Sequence, residues 1–305
     1  MIVTITLNPS FDKSIIVCNF HQGCVNKITG TRLDAGGKGV NVSKVLGVLD
    51  SENIAVGIAG RNNYDSYSSI LDSIGVNHDF ILTDGSIRTN IKINDPVSGT
   101  TTDINEAGIP INEAAAAQLI NKLTSFDKET VFVISGSISP ITSPQIISRL
   151  ISTVSGKVIV DTSGEALKEA VKVKPYIAKP NIQELSELTG RSFTSLEEII
   201  ISAKELVSEG LHGVMVTLGD KGLIYVTAKS VYHSPVIKVN AKCTVGAGDA
   251  VTAGIAYCLK HGAEDKDFAK LGAALGTSAV MTDGSQAPCI ASINHYMDLV
   301  QVTEL

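Results

Sequence analysis

Short apolar runs and longer segments with a helical repeat alternate along most of the chain. The apolar runs are rich in Val and Ile, which is typical of buried strands, and they lie at 2–7, 54–59, 131–135, 158–161, 176–179 and 214–218. Between them, apolar residues three and four positions apart predict helices at 38–49, 64–74, 112–124, 142–153, 163–172 and 194–208. This alternation builds βαβ units, so the pattern predicts an α/β fold with a doubly wound, mostly parallel sheet.

Two segments, 14–34 and 87–105, depart from this alternation. Each predicts strand after strand with no helix between, and polar and apolar residues alternate as in 88–94. We expect the two segments to pair into one small antiparallel sheet, whose open face would cover a site as a lid or form a dimer contact. No Pro/Gly/Ser linker divides the chain, which predicts one domain over 1–305 with the two lid segments inserted in it.

The last third of the chain contains the sharpest local motif. A strand pair at 222–226 and 231–233 is followed by two predicted helices, 248–260 and 264–281. The first helix begins in Gly246-Ala247-Gly248-Asp249, where free backbone N–H groups and the helix dipole favour an anion. Asp249 would accept a proton from a hydroxyl that attacks phosphorus, and the amides of the motif would stabilise the transferring phosphoryl group. The competing interpretation is structural, because Asp is common at a helix cap or in a first turn.

A second glycine-rich turn, Gly36-Gly37-Lys38-Gly39, enters the first predicted helix. Together with 8–12, which follows the first strand, it is typical of a polyol site. Asp12 and Asn41 would hydrogen-bond to sugar hydroxyls, and Lys38 would meet a charged group. The alternative is an ordinary strand-to-helix turn with a surface lysine.

The motifs of the common nucleotide-binding folds are absent. A Walker A motif ending at Gly37-Lys38 would need glycine in place of Arg32 and Ser or Thr in place of Gly39. A dinucleotide fingerprint starting at Gly246 would need a third glycine in place of Val251. A nicotinamide-dependent oxidoreductase therefore lacks its glycine signature here, and the protein-kinase signatures are missing as well.

Composition and charge narrow the classes of ligand and partner. The 305 residues are 44% hydrophobic and 18% charged, and 25 Lys and Arg against 31 Asp and Glu give a formal net charge of −6. No global positive field would attract nucleic acid or an anionic membrane surface. Five cysteines without C-x-x-C spacing favour neither a disulfide framework nor a zinc site. With no long uncharged apolar stretch, these features predict a cytoplasmic protein that does not span a membrane.

The motifs in this order resemble the pfkB branch of the ribokinase-like carbohydrate kinases. The resemblance extends over nearly the whole chain: N-P-S-x-D at 8–12, G-G-K-G-x-N at 36–41, R-x-N at 88–90, S-G-S at 135–137, K-P-N-x-x-E at 179–184, T-L-G-x-x-G at 217–222 and G-A-G-D at 246–249. It implies a ribokinase-like doubly wound sheet with a small discontinuous β-sheet lid. It also implies transfer of phosphate from ATP, with Mg²⁺, to a sugar.

The resemblance implies roles for individual residues on the catalytic and sugar side. Asp249 would be the catalytic base, and Gly246, Ala247 and Gly248 would form the anion hole. The residues that match sugar-phosphate contacts are Asp12, Gly37, Lys38, Asn41, Arg88, Asn90 and Ser137. Lys27 of the first lid segment would join Lys38 and Arg88, and three positive side chains around one mouth suit a substrate that already carries a phosphate. For Arg88 the alternative is a solvated charge on an edge strand.

The nucleotide and metal positions follow from the same resemblance. The residues that would bind the nucleotide are Lys179, Asn181, Thr217, Gly219 and Gly222. Asn181 and Glu184 match the positions that organise Mg²⁺ largely through water, with Asp161 assisting. Their spacing has a structural alternative, in which Asn181 caps a helix and Glu184 completes a capping box.

Within the family, 90–93 and 102–106 resemble the 1-phosphofructokinases more than the tagatose-6-phosphate kinases or 6-phosphofructokinases. The sequence therefore favours an enzyme that phosphorylates C6 of fructose 1-phosphate to give fructose 1,6-bisphosphate. Kinases of the two 6-phosphates are the nearest alternatives, and a non-catalytic sugar-phosphate sensor is the alternative from another class. The open face of the lid sheet favours a homodimer formed through the lid.

Overall fold

The computed structural model describes all 305 residues. The first half contains β1 (Ile2–Thr6), β2 (Ser10–Ile16), β3 (Gly30–Gly36), α1 (Lys38–Val48), β4 (Asn53–Gly60), α2 (Tyr64–Ser73), β5 (His78–Thr83), β6 (Arg88–Asp95), β7 (Thr100–Asn105), α3 (Glu113–Leu123), β8 (Val131–Ser135) and α4 (Gln145–Thr153). The second half contains β9 (Lys157–Asp161), α5 (Gly164–Lys172), β10 (Ile177–Ala178), α6 (Ile182–Thr189), α7 (Leu196–Ser208), β11 (Gly213–Thr217), a 3₁₀ turn (Gly219–Lys221), β12 (Leu223–Thr227), β13 (Val231–Ser234), α8 (Ala247–His261), α9 (Asp265–Ala279), α10 (Ile290–Leu299) and β14 (Thr303–Glu304). None of the helices combines the length and apolarity needed to cross a membrane.

The central sheet has ten strands in the order β14-β13-β12-β11-β10-β9-β8-β1-β4-β5. The strands from β5 to β11 in this order run parallel, and β12, β13 and β14 pair antiparallel at one edge. From β1 the chain proceeds outward to β4 and β5, and it then returns to β8 on the other side of β1. In open α/β sheets, ligands bind beyond the carboxyl ends of the strands at such a reversal.

Both faces of the central sheet are covered, which explains the uninterrupted apolar runs in the sequence. Val131 and Val133 of β8 belong to the core cluster that includes residues of α1, α8 and α9. Phe132 and Ile134 of the same strand belong to the cluster that includes residues of α3, α4 and α5. Successive side chains of a strand point to opposite faces, so a strand buried on both sides shows no polar alternation. The predicted doubly wound α/β architecture is therefore confirmed.

A second sheet of four strands, in the order β3-β2-β6-β7, accounts for the two unusual segments. The hairpin pairs β2–β3 and β6–β7 are antiparallel as expected, but the central pair β2–β6 is parallel. The expectation of a wholly antiparallel sheet was wrong, because β2 and β6 follow the parallel strands β1 and β5 and leave the central sheet in the same direction. The register places Asp12 beside Asp34 and Asn90, and Asn90 beside Asn105, so these polar side chains share one face.

The structure also adds elements that the periodicity did not indicate. β5 pairs with β4 at the edge of the central sheet, and β2 begins at Ser10, four residues before the predicted segment. The two predicted final helices are present as α8 and α9, but the prediction lacked α10, which follows α9, and β14, which pairs with β13. In α10 only Ile293 is buried, so the helix has too narrow an apolar stripe to stand out in the sequence.

Candidate active site

The amino end of α8 presents backbone donors without partners. Gly246 has a left-handed φ of 84° and no side chain caps the helix. The N–H groups of Gly246, Gly248 and Asp249 donate no hydrogen bond, whereas the N–H of Ala247 donates to Thr244 O at 3.4 Å. Three of the four predicted amides are therefore available to an anion at the positive end of the helix dipole.

Asp249 lies one turn into this site, with 5% of its surface exposed. Asn41 Nδ2 donates to Asp249 Oδ2 at 2.8 Å, and Asp249 Oδ1 accepts no hydrogen bond from the protein. Burial, followed by the negative charge of Asp161, raises the pKa of Asp249 to about 6, while Lys38, the Asn41 hydrogen bond and Lys179 oppose the rise. Its carboxylate bonds to no backbone N–H, so Asp249 does not cap the helix. A carboxyl group with this pKa and a free oxygen can accept a proton near neutral pH.

Two lysines converge on Asp161 at the carboxyl end of β9. Lys179 Nζ lies 3.1 Å and Lys38 Nζ 3.6 Å from Asp161 Oδ1. Thr252 Oγ1, on α8, donates to Asp161 Oδ2 at 2.7 Å. Burial would raise the pKa of Asp161, but the charges of Lys179 and Lys38 outweigh it and lower that pKa. The buried carboxylate thus holds both ammonium groups beside α8.

Asn181 and Glu184 form the capping box that the sequence offered as the structural alternative. Glu184 N donates to Asn181 Oδ1 and Asn181 N donates to Glu184 Oε2, both at 2.8 Å. Glu184 Oε1 keeps no protein partner. No group of three His, Cys, Asp or Glu side chains is placed to hold a metal ion. The residues therefore fit Mg²⁺ only through its water molecules, with Glu184 Oε1 as the available carboxylate oxygen.

The small sheet contributes a polar cluster to the opposite wall. Asp12 Oδ1 accepts from Ser10 Oγ at 2.9 Å and from Asn90 Nδ2 at 3.0 Å. Asn90 Oδ1 is buried and has no hydrogen-bond partner. Asp12 and Asn90 line a cavity of about 200 Å³ that Val245 and Ser285 close from the main domain. Such polar side chains can bind the hydroxyls of a sugar.

The three predicted positive side chains have different surroundings. Lys38 pairs with Asp161. Arg88 Nη1 donates to the backbone carbonyl of Glu106 at 3.0 Å, and its buried Nε has no partner. Lys27 is exposed in the β2–β3 connection and makes no hydrogen bond or ion pair, and Ser137 is exposed beyond β8. No contact joins Lys27 to Lys38 or Arg88.

The predicted nucleotide residues lie at the carboxyl ends of β10 and β11. Lys179 and Asn181 follow β10, and Asn181 forms an isolated bridge with Thr217 at the end of β11. A Cβ on Gly219 would enter open space, whereas a Cβ on Gly222 would lie 2.0 Å from Ser234 O. Gly222 is therefore required by the close approach of the backbone to Ser234.

Sequence reasoning missed the loop that follows α9. Ser285 is 7% exposed, and its Oγ is buried without a partner. Its Cα lies 3.6 Å from the position a Cβ would take on Gly246. Arg32 Nη2, from β3, donates to Asp283 O in the same loop at 3.0 Å. No local motif marks these positions, because their partners lie more than 30 residues away along the chain.

Comparison with known proteins identifies the family of the chain. Residues 5–292 match the model of the pfkB family carbohydrate kinases. The 1-phosphofructokinase of Borreliella burgdorferi is 35% identical over 284 residues, 92% of each chain. That of Vibrio cholerae is 31% identical over 308 residues, covering 100% of this chain and 97% of the relative. The crystal structure of phosphofructokinase-2 from Escherichia coli in complex with potassium superposes with a TM-score of 0.94 at 27% identity, over 98% of each chain. The chain therefore belongs to the pfkB family of carbohydrate kinases.

Proposed function

We propose that the protein transfers the γ-phosphoryl group of ATP to the C6 hydroxyl of fructose 1-phosphate, giving fructose 1,6-bisphosphate and ADP. The observation that carries this proposal is the environment of Asp249. Asp249 has a free Oδ1 and a pKa of about 6. It lies in the same helical turn as the three unpaired N–H groups. A base beside an anion hole is the arrangement that phosphoryl transfer to an alcohol needs. The named relatives from Borreliella burgdorferi and Vibrio cholerae support the choice of sugar.

Asp249 would act at the attacking oxygen. Its Oδ1 takes the proton of the C6 hydroxyl as that oxygen forms a bond to the γ-phosphorus, and the bond from this phosphorus to the leaving oxygen of ADP breaks. The N–H groups of Gly246, Gly248 and Asp249 meet the charge on the transferring phosphoryl oxygens. Lys38 and Lys179, held by Asp161, add positive charge on the same side.

Nucleotide and metal would enter at the ends of β10 and β11. A Cβ on Gly248 would lie 3.6 Å from Lys179 Nζ, so the space beside this lysine depends on the glycine and suits a phosphate oxygen. Mg²⁺, when bound, supplies further positive charge to the phosphates. Glu184 and Asn181 would hold it through water, and Asp161 would orient the two lysines.

The small sheet would act as a lid over the sugar. The segments 14–34 and 87–105 carry its strands, and Asp12 and Asn90 face the cavity. Arg88 and Lys27 would bind the phosphate of the substrate together with Ser137. Closing the lid excludes water, which would otherwise accept the phosphoryl group in place of the sugar.

We also propose a cytoplasmic homodimer formed through the outer face of the small sheet. Leu33 and Ile104 lie in one row of that face across four strands, and they are 47% and 53% exposed. Apolar residues on an open sheet face favour a partner. Size-exclusion chromatography with light scattering would test this: Ile104→Lys should convert a dimer to a monomer.

Kinases of fructose 6-phosphate or tagatose 6-phosphate are the alternative, supported for the former by the structural similarity to phosphofructokinase-2 from Escherichia coli in complex with fructose-6-phosphate. Coupled ADP release with Mg²⁺ and ATP should give the highest kcat/KM with fructose 1-phosphate among these three sugars and free fructose. A higher kcat/KM with fructose 6-phosphate or tagatose 6-phosphate would show that the enzyme is a kinase of that sugar phosphate instead. Binding of sugar phosphate without turnover would instead indicate a sensor.

A further inference from the structure

Lys44 lies where α1 meets the small sheet. It stands three residues after Asn41, so both side chains lie on one face of the helix. Lys44 Nζ donates to the backbone carbonyl of Ala35 at 2.6 Å and to Asn41 Oδ1 at 3.1 Å. Asn41 Nδ2 in turn donates to Asp249 Oδ2 at 2.8 Å. These contacts form a continuous chain of hydrogen bonds that ends on a buried carboxylate.

The chemistry of the three groups fixes the direction of the chain. An ammonium group only donates and an ionised carboxylate only accepts, whereas an amide has one end of each kind. Lys44 therefore holds Oδ1 of Asn41, and the NH₂ end faces Asp249. In the reversed orientation Oδ1 would face the carboxylate and NH₂ would face the ammonium group, which would leave both contacts repulsive.

We propose that Lys44 is a positioning residue, which fixes the Asn41 amide so that Nδ2 holds Asp249 Oδ2 and leaves Asp249 Oδ1 to the substrate hydroxyl. This inference rests on the proposed function, in which Asp249 is the base. Lys44 acts through Asn41 and makes no hydrogen bond to Asp249. Its bond to Ala35 also joins α1 to the end of β3, so the orientation of the base depends on where the small sheet is anchored.

Other charged groups face the two ends of this chain. The charges of Asp161, Lys38 and Lys179 affect the pKa of Asp249. Burial lowers the pKa of Lys44, the charges of Asp34, Asp12 and Asp249 oppose this, and the charge of Arg32 adds to it. None of these side chains other than Asp249 hydrogen-bonds to the Asn41 amide. The amide is therefore the one hydrogen-bonded route from Lys44 to Asp249, and removing it separates positioning from a direct effect of the Lys44 charge.

NMR titration of the protein with ¹³C-labelled aspartate side chains tests the inference, with Asp249 identified by its absence in Asp249→Asn. Lys44→Met should raise the pKa of Asp249 by about one unit, because its ionised form loses a fixed donor. Lys44→Arg still donates and should restore the titration. Lys44→Gln, a second substitution should Met prevent folding, should give a smaller shift in the same direction.

Kinetics and a matched control accompany the titration. For Lys44→Met we expect kcat to fall about 10-fold, with the KM for the sugar phosphate within about twofold of wild type. Lys122→Met is the control, since Lys122 Nζ also joins a helix to a strand carbonyl, that of Asp79, at 3.1 Å. It should leave the kinetics and the Asp249 titration unchanged.

The double variant decides the route. In Asn41→Leu the amide is gone, and adding Lys44→Met should produce no further shift of the Asp249 titration. An equal shift in both backgrounds would overturn the inference in favour of a direct charge effect, and so would an unshifted titration in Lys44→Met alone. The titration needs no turnover, so absence of kinase activity in the wild type would refute the proposed function while the role of Lys44 is still decided.

Discussion

The chain contains two glycine-rich turns that enter helices, and their glycines serve different purposes. At the start of α1, a Cβ on Gly39 would lie 2.4 Å from Thr6 Oγ1 and 3.0 Å from Ile5 O. At the start of α8, a Cβ on Gly248 would meet nothing closer than Lys179 Nζ at 3.6 Å. The first turn is glycine-rich because it packs against β1, and the second leaves room for a ligand. Similar glycine motifs thus pack against a strand in one place and leave open space in the other.

The two turns meet at Asp249. Asn41, in the first turn of α1, donates to the carboxylate of Asp249 in the first turn of α8. The packed turn therefore carries Asn41, whose amide holds the Asp249 carboxylate of the open turn. Rigid packing on one side and open space on the other would let the proposed site combine a fixed base with an accessible anion hole.

The largest expected effect comes from removing the proposed base, Asp249, at the open turn. Asp249→Asn should lower kcat by about 10²- to 10⁴-fold, the range for loss of a general base. Circular dichroism and the affinity for ATP should match the wild type, because the amide keeps the volume of the carboxylate. The measurement is steady-state ADP release at pH 8. Turnover close to wild type would show that the open turn is not the site of proton transfer.

Alanine at the packed turn should affect stability rather than ligand binding. Gly39→Ala places a methyl group against β1 and should lower the free energy of unfolding by about 3 kcal/mol, the upper part of the range for overpacking. Gly248→Ala should keep or slightly raise stability, because alanine favours the helix, yet lower kcat/KM by about 10-fold by narrowing the anion hole. Urea unfolding and kinetics of both variants measure the contrast. Equal destabilisation by the two substitutions would remove the distinction between the turns.

The fold was largely predictable because hydrophobic periodicity is a local property. Strands buried on both faces, such as β8, show as short apolar runs, and amphipathic helices between them show their spacing directly. The parallel pairing of β2 with β6 was not predictable in this way, since it depends on the path of the chain through the central sheet. Helix α10 was not predicted because only one of its side chains, that of Ile293, is buried.

The site was predictable where a motif is continuous and not where partners come from distant strands. Asp249 stands inside its own glycine motif, so its place at a helix start could be expected. The ion pairs of Asp161 with Lys38 and Lys179 join three separate elements, and the same is true of Asn41 with Asp249, 208 residues apart. The spacing of residues along the chain does not predict such long-range contacts.

The same carboxylate should cost stability when it is ionised. The pKa of Asp249 is raised from 3.8 to about 6 on folding, so the folded state binds the proton more tightly than the unfolded chain. Its contribution to stability is present below pH 3.8 and is lost as the pH rises through about 6. Asp249→Asn should therefore raise the free energy of unfolding by about 2–3 kcal/mol at pH 8 and by little at pH 4, since one pKa unit corresponds to about 1.4 kcal/mol. Urea melts at the two pH values test this, and an equal gain at both would contradict it.

The smallest expected effect is the pH dependence of the wild-type enzyme. Because Asp249 must be ionised to accept the proton, kcat/KM should be half-maximal near the pKa of about 6 and fall about tenfold per pH unit below it. The acid limb of a pH–rate profile between about pH 5 and 8 measures this, with the second ionisation of the sugar phosphate determined separately because it lies in the same range. Gly39→Ala, assayed where it is folded, should keep the same limb, since the packed turn acts on stability. A half-maximal kcat/KM near pH 4 would mean that burial does not raise the pKa of Asp249. The contribution of the open turn to catalysis would then come from its N–H groups alone.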